Sequence, residues 1–231
     1  MYERIHNLQA TFASLHRHAR KLRTCQSGIS ITEFALVLPI LVAMGLYGGE
    51  LAFMASTRMQ VSQIAMSLAD NASRIGQTDN SAVTPTVTEQ DVDSIMFGAL
   101  RQGEAFDFEN HGRIILSSLE KDATTGRQFI HWQRCRGELA RNSTYGNQDS
   151  NNGLTGAVLA GMGSTSNRIT AQSNSAVMFV EVFYEYQPIF GNMFVGNSTI
   201  KQEAAFIIRD DRNLRASNQS GITGTGSQSH C

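Results

Sequence analysis

A chain of 231 residues, 41% hydrophobic and 17% charged, has the material for one or two folded domains. Its formal net charge of −1 argues against a nucleic-acid partner, which would need a basic face to neutralise phosphates. The charge is unevenly spread: residues 1–28 carry Arg4, Arg17, Arg20, Lys21 and Arg23 against Glu3 alone, and residues 29–55 carry only Glu33 and Glu50.

The first predicted element is an apolar helix over 29–55. From Phe34 to Gly49 the sequence FALVLPILVAMGLYGG has no charge. A bilayer core of ~30 Å takes ~20 helical residues, so Ile29–Thr32 and Leu51–Ala55 are counted into the span. Glu33 and Glu50 then fall near opposite interfaces, where a carboxylate reaches water; at mid-membrane one would cost ~3 kcal/mol. Pro39 is tolerated inside a span. The basic flank is expected to stay cytoplasmic, which sends the chain beyond about Ser56 outward. A cleaved signal peptide is the competing reading, but no small-x-small site follows the apolar run; Ala52-Phe-Met54 ends in a bulky residue. Val61, Ile64, Ala65, Leu68, Ala72 and Ile75 continue at helical spacing. One helix to about Gly76 is predicted, apolar first and amphipathic over 56–76.

The string Gly28-Ile29-Ser-Ile-Thr-Glu33-Phe34 stands at the start of that helix. It resembles the processing site of type IV prepilins and pseudopilins, in which a glycine precedes the cleaved bond and a glutamate is fifth in the mature chain. Counted from Ile29, Glu33 is fifth. The wider string TEFALVLPILVAMGLYGGELAF resembles the TadE/TadG family of tight-adherence (Flp) pilus assembly proteins. That resemblance implies one inner-membrane span, an N-terminus in the cytoplasm, a periplasmic domain and a structural role. The prepilin-like string implies a cut between Gly28 and Ile29 by a prepilin peptidase. It also implies a Glu33 carboxylate that pairs with the cationic N-terminus of a neighbouring pilus-assembly or pseudopilin subunit, which would favour register. The competing readings are an interfacial glutamate with no such role and a Gly28 that is only a loop residue.

Beyond a polar linker that runs from Gln77 to Pro85, Thr88-Glu-Gln-Asp91 has the pattern of a helix N-cap, and a short helix over 89–101 is predicted. Four strands follow: Arg113–Leu119, Gln128–Arg134, Val177–Tyr186 and Ile200–Ile208. Alternation in the third puts Met178, Val180, Val182, Tyr184 and Tyr186 on one face, and Val177, Phe179, Glu181, Phe183 and Glu185 on the other. In the fourth, Ile200, Ala204, Phe206 and Ile208 oppose Lys201 and Glu203. Pairing of these two strands would set Lys201 opposite a glutamate. The fold class expected is α+β: a long N-terminal transmembrane helix continues as a stalk packed on a small antiparallel sheet, with the periplasmic domain at 77–212. Residues 141–175 and the tail 213–231 are polar; the first reads as loop and the second as mobile. HWQRCRG, VEVFYEYQPIFG and EAAFIIRDDR also resemble stretches of the TadE/TadG periplasmic domain.

Between the last two strands lies the apolar loop Pro188–Val195. It either tucks under the sheet or contacts a membrane or partner through Phe190 and Phe194. Cys25 lies in the basic head; Cys135 and Cys231 lie in the outer body, where an oxidising compartment permits a disulfide worth up to ~4 kcal/mol. The alternative use of these two cysteines is a zinc site with His131 and His230, for which the spacing is irregular. No nucleophile elbow, P-loop or zincin motif is present, so the chain is read as a non-enzyme without cofactor. Two function classes remain: a structural component of Flp-type pilus assembly, or an unrelated single-span membrane protein whose external domain binds a small ligand.

Overall fold

The computed structural model describes residues 27–76, 84–148, 153–154, 157–196, 198–215, 220–224, 229 and 231. The basic head up to Gln26, and most of the linker before Pro85, lie outside the described residues. The chain divides into two compact units, Met1–Gly49 and Glu50–Cys231.

Helix α1, Ser27–Ala72, runs through that division without a break and includes Pro39. It closes in a hydrogen-bonded turn, Ser73 N–H donating to the Ala69 carbonyl, so the helix proper ends short of the expected Gly76. Asp210 accepts from the Gly76 N–H at 2.9 Å and fixes the exit of the chain. In the first unit, the described side chains from Gly28 to Gly49 are exposed except for half-buried Leu46. This helix is long and apolar enough to cross a membrane.

The second unit holds the second half of α1 and everything after it. Helix α2, Glu89–Gln102, begins with a full capping box: Thr88 accepts from the Asp91 N–H, and the Asp91 carboxylate accepts from the Thr88 N–H. A short 3-10 turn at Glu104–Phe106 and the one-turn helix α3, Phe108–His111, lead into the sheet; neither was legible in the sequence. At Gly103 a Cβ would stand 2.3 Å from the Phe108 Cβ, so glycine is the residue that fits.

The sheet has four strands, β1 Gly112–Lys121, β2 Gln128–Arg136, β3 Ala176–Glu185 and β4 Thr199–Ile207. Their order is β2-β1-β3-β4 and every pairing is antiparallel. All four predicted strands are present within one or two residues at most ends. The two faces of β3 fall as its alternation requires. Met178, Val180, Val182, Tyr184 and Tyr186 join Val61, Ile64, Leu68 and Ala72 of α1 and Val92 and Met96 of α2 in the main core. Val177 and Phe179 build a smaller cluster on the other face with Leu119, Ile130 and Met162. The expected cross-strand partner differs: Lys201 stands opposite Phe183, and Glu181 opposite Glu203. Lys201 Nζ therefore reaches diagonally, to Glu203 at 2.6 Å and to Glu181 at 3.4 Å.

The tail is not the detached polar segment expected from composition. Among its described residues, Ile222 belongs to the main core, and Thr223 pairs with the backbone on either side of Thr88. The Ser229 carbonyl accepts from the Cys135 N–H at 2.7 Å. A disulfide joins Cys135 to Cys231 across a sequence separation of 96, with the Cα atoms 4.9 Å apart. The alternative zinc site is thereby excluded for these two sulfurs; His230 lies outside the described residues.

Candidate functional site

The site begins with Glu50, the first residue after the charge-free run. The sequence puts its carboxylate at an interface in reach of water. The structure instead buries it completely, at 0% exposure, in the second unit. An ionised carboxylate in such a place needs donors on most sides. Three are supplied from a segment far along the chain. The Tyr186 hydroxyl donates to Oε1 at 2.5 Å, the Ile189 N–H to Oε1 at 3.3 Å, and the Phe190 N–H to Oε2 at 3.1 Å. Burial, then the hydrogen bond to Glu50, pushes the Tyr186 phenol up from its ordinary value, so it remains a donor. Phe53, one turn on from Glu50, lies with its ring centroid 6.0 Å from that of Tyr186.

The clasp sets where the apolar loop goes. Leaving β3, the chain passes Tyr186, is held at Ile189 and Phe190, and turns at Gly191, whose φ of +63° favours glycine. A 3-10 turn over Gly191–Met193 follows. Phe190 and Phe194 meet edge to face at 6.4 Å, and Val195 packs against the main core. The tip does not tuck under the sheet: Ile189 is 55% exposed, Phe190 38% and Met193 78%. The sequence missed Glu50 as the organiser of this loop, because the two are 139 residues apart for the Ile189 contact.

At the other end of α1, Gly28 and Ile29 lie in the first helical turn, where the Ile29 carbonyl accepts from the Thr32 hydroxyl at 2.7 Å. Both residues and Glu33 are exposed, and a Cβ on Gly28 would meet nothing within 4 Å.

A second set of polar groups lies on the remote face of the sheet. Glu181 is buried and accepts from the Ser143 hydroxyl at 2.5 Å and the Thr144 N–H at 3.0 Å. Tyr145 donates to Glu203 at 2.7 Å. These bonds hold the 143–145 loop on the sheet. At the sheet's end, the register of β1 and β2 shifts between Ser118 and Leu119, so that His131 falls at the bulge between Trp132 and Ile130. Its Nδ1 lies 2.9 Å from Glu120 and borders a cavity of about 460 Å³ lined also by Lys121, Asp122 and Arg215. No group of three or more metal-ligating side chains occurs among the described residues.

No protein-family model matches the chain, and neither does any curated protein or solved structure.

Proposed function

We propose that this protein is a TadE/TadG-like structural component of Flp-type pilus assembly, anchored in a bacterial inner membrane and acting through protein–protein contacts. The observation that carries the anchor is the exposed, apolar first half of α1, charge-free from Phe34 to Gly49, in a helix that continues into a folded α+β unit. With Glu50 buried in that unit, the span is best drawn from Ile29 to Gly49, which is roughly 31 Å at ~1.5 Å per residue and matches a ~30 Å bilayer core. The basic head is then cytoplasmic, the second unit periplasmic, and the second half of α1 a stalk that forms part of the domain core. Glu33, exposed near the cytoplasmic end, is available to the N-terminus of a neighbouring subunit. A prepilin peptidase and other pseudopilin subunits are the partners this reading requires. The pilus role itself rests on the Gly28…Glu33-Phe34 string and the later family-like stretches.

The decisive measurement is the N-terminus of the membrane-isolated protein. A start at Ile29 supports prepilin-type processing; an intact Met1 leaves an uncut anchor; a start beyond Ala55 removes the anchor. Deletion of the gene should abolish Flp-type pili, and the tagged chain should co-isolate with the assembly machine. The ligand-binding alternative has one observation in its favour, the mixed-charge cavity beside His131, which is within the size range of small-molecule sites. It would be favoured if deletion left the pili intact.

A further inference from the structure

We infer that the Pro188–Val195 loop is a second membrane contact, a lipid-facing wedge that seats Ile189, Phe190 and Met193 in the leaflet beside the end of the span. This rests on the reading of α1 as a membrane anchor.

The first argument is position. Glu50 is bonded to Gly49, the last residue of the charge-free run. The N–H groups of Ile189 and Phe190 sit on the Glu50 carboxylate. The loop therefore lies within one hydrogen bond of the point where the apolar helix ends.

The second is chemistry. No charged residue occurs from Gln187 to Ser198. Ile189, Phe190 and Met193 belong to none of the buried clusters of the fold. Leu51 and Phe53, on the same turn of α1 as Glu50, add further exposed apolar surface. Contiguous apolar exposure of this kind marks a contact. The side chains exposed here are Ile, Phe, Met and Leu, on a segment with no charged residue, and this composition suits hydrocarbon better than the charged and polar rim of a protein interface.

The third is backbone accounting. Non-helical backbone near hydrocarbon is tolerated only where its polar groups are satisfied within the protein. Glu50 takes the two N–H groups that would otherwise face the lipid boundary, while those groups and the Tyr186 phenol satisfy the carboxylate. One buried acid thus makes the loop compatible with a low-dielectric boundary. Met59, Met66 and Phe97 are exposed too, but nothing ties them to the end of the span.

The test places a polarity-sensitive nitrobenzoxadiazole dye on Met193→Cys in the full chain, with Cys25→Ser as background. The protein is reconstituted into phosphatidylcholine–phosphatidylglycerol vesicles and into nanodiscs holding one chain each. A control carries the dye at Met66→Cys, roughly 24 Å further along the helix axis. The expected result is flotation with the vesicles, blue-shifted emission at position 193 in both preparations, loss of most of that emission to a nitroxide on the lipid chain, and water-like emission at position 66. Glu50→Ala should return the 193 signal toward water while the chain still floats. Flotation with a water-like signal at 193 overturns the wedge and leaves the anchor standing. A blue shift in crowded vesicles that disappears in single-chain nanodiscs assigns the loop to a second copy and also overturns it. Failure to float removes anchor and wedge together.

Discussion

Leu36, Leu41 and Met44, on the first half of α1, are 74%, 55% and 67% exposed, whereas Ile64, Leu68 and Ala69, on the second half, are 1%, 1% and 0% exposed. The residue types are alike and the helix is continuous. The difference is in the pattern and in the partners. The first half is apolar on nearly every side and its described side chains are exposed but for half-buried Leu46; the second interleaves polar Arg58, Gln63 and Asp70 with one apolar stripe, and that stripe is covered by β1, β3 and α2. A helix apolar on every side is the pattern of a core or of a membrane, and a striped one is the pattern of a surface helix laid on a sheet. The two halves should therefore answer to different perturbations.

The largest expected effect is on the first half. Val37→Arg with Leu41→Arg places two cations mid-span at about 3 kcal/mol each on insertion scales. Carbonate extraction should release the protein, while thermal unfolding of the domain stays unchanged. Next comes the second half's surroundings. Glu89, in the first turn of α2, accepts a paired hydrogen bond from Arg134, Nε to Oε2 being 2.8 Å, and both side chains are buried. Glu89→Ala leaves a buried guanidinium without its partner and should cost about 4 kcal/mol in chemical denaturation, with membrane retention intact. Leu68→Ala opens a cavity beneath the sheet and should cost about 3 kcal/mol, again without releasing the protein from membranes. If Leu68→Ala impaired retention, or the double arginine variant lowered the domain's stability, the division of the helix into two environments would fail.

The smallest effect is alkaline. The Tyr184 phenol is pushed up to about 12, by burial first and then by the Asp107 charge. It donates to the Phe106 carbonyl at 2.8 Å. A phenol raised above its unfolded value of ~10 favours the fold fully below that pH, and the contribution is lost on the way to 12. The domain's Tm should fall across that window, and Tyr184→Phe should flatten part of the fall.

Much of this architecture was legible because it is local and periodic. The capping box of α2 follows from four adjacent residues, and the faces of β3 from a period of two. The long-range features were not legible. Glu50 reads as an interfacial acid until Tyr186 and the loop are brought to it, 136 residues away for the Tyr186 contact. Glu89 reads as a first-turn acid, and only the fold adds Arg134. The tail's polar composition hides Ile222, which joins the main core beside the Thr88–Thr223 bridge, whereas the Cys135–Cys231 disulfide was legible from the two outer cysteines. Lys201 was expected opposite a glutamate of β3 and stands opposite Phe183 instead, reaching Glu181 only diagonally, since strand alternation gives the face and not the partner.

The position of β3 between β1 and β4 has a consequence for synthesis. The apolar stripe Val61–Ala72 is made early, but the strand that supplies Met178, Val180 and Val182 to the same core emerges late. The β1–β2 and β3–β4 hairpins close locally, whereas β1–β3 must span the whole Asp122–Ser175 stretch before the stripe is covered. For that interval the nascent chain presents an apolar stripe that α2 and β1 can cover only in part, the kind of species that aggregates or recruits a holdase. The fold's vulnerable moment thus falls before its third strand, and slowing translation upstream of Ala176 should lower the yield of folded protein more than slowing it downstream.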